Sequence, residues 1–189
     1  MFTVRTGARL AIALAATFAA PQVLAHITLE IRQAPIETRY KAVLRVPHGC
    51  DGSPTTALRV QIPEGAIAAK PQPKAGWQLE TTEGDYARPY TMYGAQLAAG
   101  VKEIAWTGDS LPDAHYDEFV FVAYLSDGLT PGETLYCPVV QECEQGVERW
   151  TGVPDASHHG HGHGSGHSHS HSHSHSESQA PGLKLLPKP

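Results

Sequence analysis
The sequence predicts an all-β domain, an antiparallel sandwich or barrel, on three observations. Short runs rich in β-branched and aromatic residues recur from residue 26 to near residue 152. Turns rich in Pro and Gly punctuate them, and no stretch of about 12 residues keeps a helical period without a breaker. Several strands at this spacing suit two packed sheets or a closed barrel, and roughly 125 residues suffice to bury one core.

The runs are, in order, HITLEI, RYKAVLRV, ALRVQI, WQLETTE, KEIAWTG, EFVFVAYL and ETLYCPVVQEC. Strict alternation from Leu58 to Ile62 marks a strand with one buried face. The intervening HGCDGSP, PEGA, YGAQLAAG and SDGLTPGE read as turns, since Gly, Pro, Asp and Ser favour the dihedrals turns need. Trp77 and Trp106 read as core. There is no internal repeat.

Residues 1–25 read as a secretion signal. Arg5 and Arg9 precede the apolar run LAIALAATFAA, which is too short to span a bilayer, and Val23-x-Ala25 offers small residues to a signal peptidase. Cleavage after Ala25 makes His26 the first residue of an exported protein. It also removes two of 14 basic residues and none of 19 acidic ones, leaving 12 against 19, a formal charge of −7. That balance disfavours nucleic acid and anionic membranes as partners. No later segment is apolar enough to predict a membrane span.

Cys50, Cys137 and Cys143 lie in an oxidising compartment on this reading, so one pair should bond and one thiol remain. Three pairings are open. After Trp150 the composition changes to SHHGHGHGSGHSHSHSHSHSESQAPGLKLLPKP. It holds His158, His159, His161, His163, His167, His169, His171, His173 and His175, and almost nothing apolar before Leu183. Residues 156–189 therefore read as a disordered tail able to bind Cu(II), Zn(II) or Ni(II), and the domain as 26–155.

An N-terminal histidine gives a metal two nitrogens from one residue, its free α-amine and its own Nδ1, closing a chelate ring that an internal histidine cannot form. The amine titrates near ~7.7 and imidazole near ~6.5, so both are freed of protons at little cost near neutral pH. Nitrogen donors in tetragonal array suit Cu(II). His-Ile-Thr has no histidine at mature position three, so further ligands must come from elsewhere in the fold.

The stretches AHITLE, YKAVLRVPHGCDGSPTTALRVQIPEG, GWQLE, WTGDSLPDAHYDEFVFVAYL and LYCPVVQECEQGVERWTGVPD, in that order, resemble the YcnI-like family of secreted copper-binding domains. The resemblance implies an Ig-like β-sandwich holding Cu(II) in a mono-histidine brace: amine, imidazole and one carboxylate, with a tryptophan nearby. It implies that the brace is His26, the carboxylate Glu118 of YDEF and the tryptophan Trp150 of ERWTG. It also implies a Cys50–Cys143 disulfide, leaving Cys137 as the odd thiol.

Alternation in EFVFVAYL sets Glu118 on a face with Val120 and Val122, and a carboxylate on a buried strand is costly unless paired or bound to metal. Glu30, Asp117 and Glu148 compete with it. His48 and Cys50 could form a second metal site, but HGCDGSP reads better as a turn. His115, three residues before Glu118, reads as a solvent histidine. A periplasmic copper carrier that serves another carrier or a transporter is the leading expectation, not an enzyme. The alternatives are an oxidative enzyme built on a histidine brace and a metal sponge acting through the tail. No GxSxG or Cys/His nucleophile arrangement supports hydrolysis.

Overall fold
A computed structural model describes residues 26–154 and 178–189. The segments read as signal peptide (1–25) and as the histidine-bearing stretch (155–177) lie outside the described residues.

One sheet holds four strands: β1 (Thr28–Leu29), β3 (Arg39–Val46), β8 (Asp117–Leu125) and β5 (Ala66–Pro71), in the order β1-β3-β8-β5. The opposing sheet has the order β12-β11-β10-β4-β7-β6. Its strands are β4 (Thr55–Gln61), β6 (Gln78–Met92), β7 (Ala95–Leu111), β10 (Val139–Cys143), β11 (Val147–Gly152) and β12 (Ser178–Gln179). A small third sheet joins β2 (Gln33–Pro35), β13 (Gly182–Leu186) and β9 (Thr134–Tyr136) in the order β2-β13-β9.

Period-two patterning builds the core. In β3, Tyr40, Ala42, Leu44 and Val46 are buried while Arg39 and Lys41 are exposed. Leu44, Val46, Phe119 and Phe121 from the first sheet join one cluster with Leu58, Val60, Ile104, Trp106 and Val139 from the second. Phe119 sits edge-on to both Trp77 and Trp106, with ring centroids 5.1 and 5.5 Å apart, so those tryptophans are core as expected. The disulfide joins Cys50 to Cys143, 93 positions apart, and fastens the loop after β3 to the end of β10. Closing so long a loop stabilises by about 5 kcal/mol in the chain-entropy model.

The structure corrects the sequence reading at three places. YGAQLAAG is not a long turn: only Tyr93 and Gly94, both at positive φ, turn the chain between paired Met92 and Ala95. Two left-handed residues in succession are what a tight hairpin of matching twist requires. ETLYCPVVQEC is two strands, β9 and β10, parted at Cys137-Pro138, because proline cannot donate to a ladder. Finally, the domain does not end at 155. Strand β13 pairs with β2 and β9, and its alternating Leu183 and Leu185 are buried in the core while Lys184 faces out. Two inward leucines offset the ordering entropy that a polar tail could not.

Candidate metal centre
His26 lies two residues before the first residue of β1, and it is exposed. Its imidazole meets Trp150 of β11 edge to face, ring centroids 5.1 Å apart and planes at 72°. Two residues 124 positions apart are thus brought together from opposite sheets. Trp150 is only 3 % exposed. Its register partners are Val139 of β10 and Ser178 of β12, so the C-terminal return of the chain walls the same spot. The indole N–H donates to Gln141 Oε1 at 3.4 Å.

A groove of ≈ 420 Å³ opens beside His26, with Arg32, Thr134, Tyr136, Gln179 and Gly182 in its lining. Among the described residues its lining includes no acid and no second histidine or cysteine. Among the described residues, no group of three or more His, Cys, Asp or Glu converges as a metal cage. In the full-length chain the His26 nitrogen is a peptide amide; loss of residues 1–25 would turn it into the amine that a chelate needs.

Glu118 is the second residue of β8, in register with Arg45, which is itself in register with Thr28. Adjacent strands lie about 4.8 Å apart, so the Cα atoms of Glu118 and Thr28 are roughly 10 Å apart across Arg45. The Glu118 side chain is 39 % exposed and lies 3.6 Å from Arg45 Nε, and it accepts a hydrogen bond from the Tyr116 hydroxyl. Partial desolvation of its hydroxyl and that hydrogen bond push the Tyr116 phenol above its usual range. The premise that Glu118 is a buried carboxylate is therefore corrected: β8 turns its Phe119, Phe121 and Ala123 face to the core and its Glu118 face outward. No hydrogen bond or ion pair joins Glu118 to His26 among the described residues.

The competing carboxylates differ. Glu30 pairs with Arg45 at 3.0 Å and Asp117 with Lys74 at 2.7 Å. The side chain of Glu148 makes neither hydrogen bond nor ion pair among the described residues, and it lies two residues before Trp150 on the same face of β11. His115 is exposed and borders a separate groove with Lys74, Trp77 and Asp109. His48 is half-buried in the turn the sequence predicted; its Nδ1 lies 2.5 Å from the Gly49 carbonyl, and the Gly49 N–H donates to Asp113 Oδ1 at 3.0 Å. Cys50 is in the disulfide, which removes it as a thiolate ligand.

Cys137 is the free thiol, buried among Leu29, Tyr40, Phe121, Leu135 and Leu183 around a small apolar void of ≈ 20 Å³. Burial pushes the thiol up to about 12. A thiol held neutral there is not a metal ligand.

The signal that sequence reasoning missed is Gln141. It is 1 % exposed, and its Nε2 donates to the His48 carbonyl and to Thr55 Oγ1, both at 2.7 Å, while its Oε1 takes the Trp150 indole. A polar residue in step with Val139 on an otherwise apolar inward face was the available clue.

The comparisons with known proteins agree with this architecture. A crystal structure of an uncharacterised protein from Nocardia farcinica, described as revealing an immunoglobulin-like fold, superposes with a TM-score of 0.55 at 22 % identity. The match covers 85 % of this chain and 98 % of that one, so the β-sandwich is immunoglobulin-like. No curated protein matches the sequence. A family profile described as a domain of unknown function, DUF1775, matches residues 26–185, opening at His26 and running into β13. The chain belongs to the DUF1775 family, to which the YcnI-like proteins also belong.

Proposed function
We propose that this protein, once exported and cleaved before His26, binds Cu(II) and carries it in copper homeostasis, handing it to another periplasmic or membrane carrier and performing no catalysis. The observation that carries this reading is the contact between exposed His26 and buried Trp150, the pair the family resemblance implies. A free amine and Nδ1 of His26 would supply two nitrogen donors. Glu118 would supply a carboxylate once it exchanges Arg45 and Tyr116 for the metal. Trp150 orients the imidazole and excludes water from one side. Copper supplies its own Lewis acidity and redox couple; the chain supplies donors and a wall.

The donors must be deprotonated to bind, so affinity falls as the solution is acidified. The sign is fixed, because protons compete for both nitrogens.

A second reading, sequestration of copper, zinc or nickel by the histidine-rich segment, is favoured by where that segment attaches. Strand β11 ends at Gly152 and β12 begins at Ser178, and Gly152 pairs with Gln179, which lines the His26 groove. Nine histidines tethered at both ends near one site would raise the metal concentration there. The two readings are separated by deleting residues 158–175, which spares β12 and β13. Cu(II) is titrated into that protein beginning at an authentic His26, beside a twin with one extra N-terminal Gly, and followed by electron paramagnetic resonance. The carrier reading expects one equivalent of tetragonal, nitrogen-rich copper in the first and at least about 100-fold weaker binding in the twin, beyond the 10–100-fold that outer partners cost. Equal binding in both contradicts the brace. Loss of all binding on deletion moves the function to the histidines.

A further inference from the structure
We infer that Gln141 is the positioning residue of the metal centre: its buried amide locks the Trp150 indole against His26 and ties that wall to the end of β3. This rests on the proposed copper reading for its purpose, though not for its geometry.

The amide can be oriented in one way only. An indole N–H donates and cannot accept, so Oε1 must face Trp150; the His48 carbonyl accepts and cannot donate, so Nε2 must face His48. Both ends are satisfied, at 3.4 Å to the indole and 2.7 Å to the carbonyl, and the second Nε2 hydrogen reaches Thr55 Oγ1 at 2.7 Å. Gln141 sits in β10, between Leu58 of β4 and Glu148 of β11, so its backbone belongs to the sheet that carries Trp150. His48 follows β3, the strand on which β1 pairs just after His26. One side chain therefore joins both walls of the site across the two sheets. The disulfide at Cys50, two residues beyond His48, holds the same loop to the same strand β10, so the carbonyl that receives Nε2 is fixed as well. An amide buried to 1 % exposure and fully bonded makes a rigid tie, since any rotation would leave a buried polar group unpaired.

The test pairs Gln141→Met, which keeps length and removes both ends of the tie, with Gln141→Glu, which keeps an acceptor for the indole. Two readouts are taken on protein starting at authentic His26. In copper-free protein, the ring-proton shifts of His26 report the current of the Trp150 ring. They should move in Q141M toward their values in Trp150→Leu, and move less in Q141E. With Cu(II), affinity should fall about tenfold in Q141M, the lower end of the cost of losing an outer partner, with partial rescue in Q141E. In a W150L background Q141M should add no further loss. Unchanged His26 shifts in folded Q141M, or an equal loss of copper affinity with and without Trp150, would overturn the inference. If wild-type protein binds no copper at His26, the proposed function falls, while the copper-free shifts still decide the role of Gln141. Should Q141M not fold, Q141E and, separately, Thr55→Val, which removes one acceptor of Nε2, provide the same shift comparison.

Discussion
Trp150 and Glu118 flank the start of β1 from opposite sheets, and they stand in opposite states. Trp150 is buried, hydrogen-bonded through Gln141 and already in contact with His26. Glu118 is partly exposed and engaged by Arg45 and Tyr116. The aromatic half of the candidate centre is thus set by core packing, whereas the carboxylate half is set by surface electrostatics that a metal would have to displace. Such an exposed ion pair is worth about 0–1 kcal/mol, so displacement is inexpensive. A site with one fixed wall and one exchangeable ligand suits a protein that releases its metal as well as holding it.

The sharpest contrast is in stability. Trp150→Ala should cost about 3–5 kcal/mol in chemical denaturation, as removal of a buried aromatic does, whereas Glu118→Gln should stay within about 0.5 kcal/mol. A small cost for W150A would erase the distinction between the halves. The core that buries Trp150 also holds the buried thiol of Cys137, pushed up to about 12 by desolvation, so the folded state retains a proton the unfolded chain loses above its ordinary thiol range. Stability should be full below about pH 9 and fall by about 1 kcal/mol per unit between pH 9 and 12, since the native state there binds more protons than the unfolded one. Equilibrium denaturation of wild type and Cys137→Ala across that window checks it, the variant lacking this component of the slope.

For copper the ranking of the two halves should narrow. Glu118→Gln should weaken Cu(II) binding about 10–100-fold, measured by competition with a chelator. No change in E118Q would transfer the ligand role to another carboxylate, Glu148 first, because it is unpaired among the described residues and shares the face of Trp150. The smallest effect belongs to Arg45→Ala, which releases Glu118 and should raise copper affinity a few-fold, the size of one exposed ion pair. A fall in affinity would mean that Arg45 helps to place the carboxylate.

Much of this was legible in the sequence, and what was not has physical causes. Alternation marked β4 and the two faces of β8, because one buried face imposes period two on the residues themselves, while β3 was legible as a run of strand-forming residues between turns. Strand β5 escaped notice: half of AIAAKP is alanine, and Ala68, at φ 50°, lies where the strand shifts register with β8. Strand β13 was hidden behind a polar, low-complexity stretch, so that two leucines in a short terminal segment looked like tail; their partners β2 and β9 are remote in sequence and too short to announce themselves. His26 and Trp150 were named from chemistry and family resemblance, and the fold unites them. The environment of Glu118 was misjudged because alternation says which residues share a face, not which face is covered. Gln141 was passed over because a glutamine's partners are invisible until the strands are paired.

The central claim, copper held at His26 against Trp150, is tested most directly by resonance broadening in the mature protein carrying its histidine segment. Cu(II) is paramagnetic, so one equivalent should broaden away the Trp150 indole N–H and the amides at the start of β1, leaving the indoles of Trp77 and Trp106 sharp. Broadening confined to the histidines of 158–175, with the Trp150 indole intact, would contradict it.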